Sequence, residues 1–144
     1  MRFSKQEMQE ALNEISQNEK PLMAIVGALI GAVPAIAMYY YFSKMGGVLS
    51  VMLAIPPFIV GIFSRFMGCT YRFKHRVPAG IVGAIVHVIG CLLLGFNPLV
   101  YLLTPVAFAI DLITAKIKLA AVHEWAIDQK NFGILDKEPP SESD

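Results

Sequence analysis

The stretch LMAIVGALIGAVPAIAMYYYF, residues 22–42, decides the fold, because it runs its whole length without a charged side chain. As a helix rising ~1.5 Å per residue it can cross the ~30 Å hydrocarbon core of a bilayer. It also lacks the polar face of period 3.6 that a helix on the outside of a soluble domain shows. Three further stretches repeat the pattern. Residues 48–67 carry one charge, Arg65, two positions from the end; residues 77–95 carry none; residues 99–115 carry one, Asp111. Composition agrees, with 56% of the 144 residues apolar and 16% charged, where an ordinary soluble domain has about 25% charged. The sequence therefore predicts an all-α integral membrane protein of four transmembrane helices, with short cytoplasmic helices at its ends.

Orientation follows from the basic residues of the short loops. Residues 68–76 hold Arg72, Lys74 and Arg76 and no acid, and Arg65 stands just before them. Residues 43–47 hold only Lys44, the turn at 96–98 holds no charge, and Lys116 and Lys118 follow the fourth stretch. This bias puts the middle loop and both ends in the cytoplasm. Tyr39, Tyr40, Tyr41 and Phe42 then form an aromatic anchor at the outer interface.

Three regions follow: residues 1–20, the membrane domain 21–118, and residues 119–144. In the first, Ser4 and Glu7 have capping-box spacing, and Met8, Leu12 and Ile15 share a helical face. This helix carries more acid than base, so it suits the cytoplasmic loops or a partner better than anionic lipid. In the last, residues 117–130 continue the fourth helix, with Trp125 near the interface, until Asn131-Phe132-Gly133 ends it. Residues 136–144, rich in proline, serine and acids, read as disordered.

Several function classes drop out. A net charge of +1 with no basic stripe gives no footing for nucleic acid. Cys69 and Cys91 fall at different depths, so they read as two free thiols. The first apolar run is too long for the h-region of a secretory signal. No nucleophile–base pair, phosphate loop or zincin motif appears, so the chain reads as no enzyme, and nothing in it calls for a cofactor.

What remains is a short set of candidate positions. Gly27, Gly31 and Ala35 form a small-residue stripe on the first helix, and Ala79, Gly83, His87 and Cys91 form another on the third. Such stripes serve either the packing of one chain or the association of copies. Pro34, Pro56, Pro57 and Pro105 interrupt three of the stretches. Each removes a backbone donor and frees a carbonyl one turn earlier, and that carbonyl must find a partner in protein or in a wet cavity. Simple kinks and the broken helices of a transporter site are the two readings.

His87 is the one imidazole near the bilayer middle. Cys91 follows one turn later, but a metal site needs three or four ligands and no carboxylate stands at that depth, so no metal is expected. A second deep histidine, which a haem would need, is missing. The plain reading is a buried imidazole bonded to a carbonyl, and the functional reading stands beside it. Asp111 and Arg65 are expected at similar depth near the cytoplasmic face, as a cross-helix ion pair, as side chains reaching separately for the headgroups, or as part of an ion relay. Finally, residues 25–31 (IVGALIG) align with residues 81–87 (IVGAIVH). That alignment suggests two duplicated helical hairpins related by an axis along the membrane normal, although apolar helices repeat such strings by chance.

The run Gly27-x-x-x-Gly31, then Ile55-Pro56-Pro57-Phe58-Ile59-Val60-Gly61 with Arg65 and Gly68, resembles small four-span bacterial membrane proteins of unassigned function. The likeness covers roughly residues 22–95 and implies a bacterial inner membrane without implying an activity. The leading expectation is a non-catalytic polytopic protein acting through helix association, as a homo-oligomer or as an accessory subunit of a larger membrane-protein partner. The competing expectation is an oligomeric transporter or channel for a small solute, proton or metal ion, built on His87, Asp111 and the proline-broken helices. In either case the lipid bilayer is the partner that the composition demands.

Overall fold

The computed structural model describes residues 3–45, 50–95 and 98–135, and these form helices with no strand among them. In chain order they are α1 (Lys5–Asn18), α2 (Pro21–Lys44), a 3-10 turn (Ser50–Ala54), α3 (Ile55–Gly68), α4 (Phe73–Leu94), α5 (Pro98–Tyr101), α6 (Thr104–Thr114) and α7 (Ala121–Asn131). They divide into two compact units. One spans Glu19–Ile117 and contains α2 to α6; the other contains α1 and α7.

In the larger unit, α2 and α4 have 24 and 22 residues and are long and apolar enough to cross a membrane. Only 39% of each apolar window is buried inside the protein, whereas a core helix of a soluble protein is buried nearly all round. The outward faces stay apolar, with Leu22, Leu29 and Val33 on α2 and Ile81, Ile85 and Leu92 on α4 all exposed. These two helices point to membrane association.

The second and fourth expected spans are built differently from the first and third. Residues 50–54 are a 3-10 turn, and the α-helix starts at Ile55 with Pro56 and Pro57 in its first turn. Residues 98–101 form a single turn, and α6 opens at Thr104-Pro105. A helix's first N–H groups have no intrahelical partner, so proline costs nothing there and pre-sets φ. Pro56, Pro57 and Pro105 therefore start helices, where the sequence suggested interruptions within longer ones. Pro34 does lie inside its helix, and so does Pro78 in α4. The third helix begins four residues before the expected residue 77, and Gly95, at φ 94°, ends it. After α6 the chain leaves the helix before α7 begins, so residues 117–130 are not one continuous helix. Nothing in the local sequence explains that break. Residues 46–49, 96–97 and the acidic tail 136–144, with its expected disorder, lie outside the described residues.

Small residues set the packing of α2 against α3. A Cβ added at Gly27 would stand 2.5 Å from the Phe63 carbonyl oxygen, and one at Gly31 would stand 2.9 Å from Phe63 Cβ. The wholly buried Ala35 continues that stripe into a core with Ala28, Tyr39, Leu53, Val60 and Val86. The stripe is thus used within the chain.

The charges gather at the end of this unit where α2 begins, α3 ends, α4 begins and α6 ends. There the Lys20 N–H donates to the Gly68 carbonyl at 2.8 Å. The Glu19 side chain, only 4% exposed, accepts the Arg72 N–H at 3.2 Å and lies 3.0 Å from His75 Nδ1. Arg76 Nη1 donates to the Leu112 carbonyl at 3.0 Å.

In the smaller unit the capping box forms as spaced. The Ser4 N–H donates to Glu7 Oε2 at 2.7 Å and the Glu7 N–H donates to Ser4 Oγ at 3.2 Å. These bonds hold the Glu7 carboxyl below the ordinary glutamate value, the Ser4 backbone N–H contributing most. Met8 and Ala126 are buried together with Leu135, and Phe3 and Leu12 pack on them.

Candidate functional site

An apolar bundle advertises its function through the polar groups it buries, since each needs a partner or a reason. In the larger unit these are Tyr39, Ser64, Thr70, His87 and Asp111, all at most 1% exposed. Two centres carry the chemistry.

The first lies where the proline-started helices begin. In an unbroken helix the Leu53 carbonyl would accept the N–H of residue 57, but Pro57 has none. The Tyr39 hydroxyl supplies the missing donor from α2, at 3.1 Å. Tyr39 reaches that position because Gly90 faces it on α4, where a Cβ would collide with the ring. The Tyr39 oxygen also lies 2.8 Å from His87 Nδ1, the two rings meeting edge to face at 68°. On the far side of the imidazole, Nε2 lies 3.1 Å from the Val100 carbonyl of α5. Pro105 likewise frees the Tyr101 carbonyl, and Thr104 Oγ1 donates to it at 2.8 Å. The frees-and-finds accounting at Pro57 and Pro105 therefore closes with side chains of this chain. His87 also walls a cavity of about 120 Å³, lined by Leu53, Ala54, Leu103, Val106, Ala107 and Ile110.

Cys91 is wholly buried one turn beyond His87, and it and Cys69 are free thiols. Among the described residues no three His, Cys, Asp or Glu side chains gather as a metal set. Both His87 nitrogens already face partners.

The second centre is Asp111 on α6, 0% exposed. Its carboxylate sits between two glycines of neighbouring helices. A Cβ at Gly61 of α3 would stand 2.7 Å from Oδ1, and one at Gly83 of α4 would stand 2.5 Å from Oδ2. Gly83 belongs to the second small-residue stripe, and here that stripe makes room for a carboxylate. Neither Asp111 oxygen meets a donor in well-formed hydrogen-bond geometry, the polar group nearest its carboxylate being the Gly83 backbone, and the hydroxyl of Ser64, one turn from Gly61 on α3, has no partner either. Thr114 Oγ1 crowds the same side of Gly61 while donating to the Ile110 and Asp111 carbonyls at 2.9 and 3.1 Å.

The expected ion pair between Arg65 and Asp111 does not form. Arg65 stands one turn past Gly61, nearer the charged end, while the Asp111 side chain leans toward the start of its own helix and away from that end. The cation that reaches α6 is Arg76, and it takes a backbone carbonyl.

The sequence placed Tyr39 with its neighbours in an outer aromatic anchor, whereas the structure buries Tyr39 wholly and leaves Tyr40 and Tyr41 exposed; Gly61, Glu19 and Arg76 were given no place in a site. For Tyr39 a signal was present: counting four back from Pro57 names Leu53 as a carbonyl in need of a donor. The other three depend on which helices are neighbours, which one chain's sequence does not state.

The fold and its buried groups define an all-helical protein with two helices long and apolar enough to cross a membrane. No protein-family model, no curated protein and no solved structure matches the chain.

Proposed function

We propose that this chain is a multi-pass protein of a bacterial inner membrane that moves protons or another small cation across it, with Asp111 as the ion-binding group. The observation that carries this reading is a wholly buried carboxylate, held at the crossing of three apolar helices without a well-formed hydrogen bond. A charge at such a place is expensive, so carboxylates inside membrane helices mark ion or proton pathways far more often than they serve packing. In this reading the four apolar stretches each cross the bilayer with both ends of the chain in the cytoplasm, as the clustered cations at one end favour. The interval Met52–Gly68 spans ~25 Å as a helix, within reach of a thinned or tilted hydrocarbon core. The repeated order of a long helix, a short turn and a proline-started helix supports the two-hairpin reading.

Among the described residues, the cavity beside His87, of about 120 Å³, is too small to pass a solute through one copy, so in this reading the working unit is an oligomer or includes a membrane partner. The leading expectation from the sequence, a non-catalytic protein acting through helix association, stands as the second reading; both small-residue stripes pack within the chain, so in that reading copies or partners meet through the exposed apolar faces of α2 and α4. Reconstitution into liposomes tests the proposal, with a pH-sensitive dye inside and an imposed proton, sodium or potassium gradient. Flux in wild type that Asp111→Asn abolishes and Asp111→Glu retains in part is the expected result. Absence of flux for all three ions, or flux unchanged in Asp111→Asn, refutes it.

A further inference from the structure

The atoms from Leu53 to Val100 form a row with a carbonyl at each end: Leu53 O, Tyr39 Oη, His87 Nδ1, His87 Nε2, Val100 O. The three contacts along it measure 3.1, 2.8 and 3.1 Å. Each hydrogen bond needs one proton, and the two carbonyls can only accept. A phenol and a neutral imidazole bring two protons between them, one short of the three contacts. The imidazolium brings the third, and every contact is then filled.

In the neutral form one carbonyl must lose its donor, and the two ends are not equivalent. Pro57 leaves Leu53 with no helical N–H to fall back on, whereas the Val100 carbonyl also accepts the Leu103 N–H at 3.1 Å. The contact to Val100 is therefore the one surrendered. Tyr39 keeps its proton on Leu53, His87 Nδ1–H turns to Tyr39, and a bare Nε2 lone pair faces the Val100 oxygen. That lone pair repels the carbonyl and releases α5 and the start of α6.

We propose that Tyr39 and His87 together form a proton-binding site that latches α5 and the start of α6 to the bundle, closed when the imidazole is protonated and open when it is neutral. The cavity described above borders this row: Leu53 and His87 line it together with Ala54 and with Leu103, Val106, Ala107 and Ile110 at and around the start of α6. Releasing α5 widens it toward the side of α6 that holds Asp111, one turn beyond Ala107. Among the ionisable groups on the elements packed around His87, Cys91 lies one turn away on α4, Tyr39 faces it from α2, Tyr101 stands on α5 and Asp111 on α6. Lys74, His75 and Arg76 lie at the opposite end of α4, Tyr40, Tyr41 and Lys44 of α2 are exposed, the 3-10 turn brings none, and Arg65 lies at the far end of α3.

The test needs a readout in which pH does not act on the probe itself, and it does not require Asp111 to carry ions. Nitroxide labels at Leu102→Cys and Leu92→Cys, both exposed sites at 73% and 54%, report the distance between the α5–α6 corner and α4. Cys69→Ser supplies the background, and Cys91 is wholly buried. Reconstituted protein is compared at pH 5 and at pH 8. A single short distance is expected at pH 5, with a second population longer by ~5 Å, about the pitch of one turn, at pH 8.

Tyr39→Phe removes the competing acceptor, so a neutral His87 keeps its proton on Val100. This variant is expected to stay closed at both pH values. His87→Gln, which cannot titrate, is expected to show one pH-independent distribution. Identical wild-type distances at the two pH values overturn the proposal. A pH-dependent shift surviving in His87→Gln or in Tyr39→Phe overturns it as well, and assigns the switch to Asp111 or another group.

Discussion

Replacing Gly27 with alanine tests whether the first small-residue stripe holds this chain together or joins copies of it. The added methyl would stand 2.5 Å from the Phe63 carbonyl oxygen and 3.0 Å from both the Phe63 carbonyl carbon and Met67 Cβ, where ordinary contact begins at 3.4 Å. The nearest obstacle is backbone and cannot rotate away, so α2 and α3 must part by close to 1 Å at that point. A gap of that size forfeits a quarter to a half of each dispersion contact along the seam. Overpacking of this kind costs ~1–3 kcal/mol. Alanine recovers ~1 kcal/mol over glycine by intrinsic helix preference, so the balance is a loss of up to about 2 kcal/mol, toward the upper end because the obstacle is rigid backbone. Gly80→Ala offers an internal comparison, because its methyl meets the Phe108 ring at 2.8 Å, a side chain. Reversible unfolding in mixed detergent micelles measures both. Gly27→Ala should unfold earlier, and trimming Met67 should not restore it. Gly80→Ala should be rescued by Phe108→Leu. A Gly27→Ala protein of wild-type stability whose oligomeric state has changed would refute the argument, since the stripe would then face another copy.

Further expectations follow from other contacts. Tyr39→Phe leaves the Leu53 carbonyl without its donor and should cost ~1–3 kcal/mol; Pro57→Ala, which restores a backbone N–H, should recover part of this, and strict additivity of the two in a double-mutant cycle would contradict it. Glu19→Ala removes the acceptor that holds the turn before α4, so tryptic cleavage after Arg72 and Lys74 should accelerate, with an unchanged digestion rate counting against the clamp. Because the folded Glu7 carboxyl titrates below its unfolded value, its contribution to α1 is fully present above the ordinary glutamate range and fades as pH falls through the lowered one. Acid titration of helicity should show that loss in wild type and not in Glu7→Gln.

The sequence announced the apolar helices and the capping box, because both are local: a run of uncharged residues and a fixed Ser–Glu spacing each carry their own physics. It also announced that prolines would free carbonyls. It did not announce where the donors stand. Tyr39 looked like one of three interface tyrosines, and only the neighbouring Gly90 turns it inward. The pairing of Arg65 with Asp111 failed for a related reason. Counting residues from the helix ends put both near one face, but a side chain leans toward its helix's start, which moves Asp111 deeper and leaves Arg65 behind. The division of the second and fourth stretches into a turn and a shorter helix was legible in hindsight, since proline is favoured in a first turn and tolerated poorly elsewhere.

The shortness of α6 has a consequence for how the protein is made. Its 11 residues reach ~16 Å, about half the thickness of the hydrocarbon, and they include a carboxylate. A segment like that enters the lipid poorly by itself. In the four-span reading proposed above, Gly61 and Gly83 offer it a slot only after their own helices have been threaded and brought together. Biogenesis should therefore run in order: the earlier helices settle first and serve as the receptor into which the last one is drawn. Chains halted after Leu94 should already be lodged in the bilayer, whereas α6 fused alone to a reporter should stay outside it.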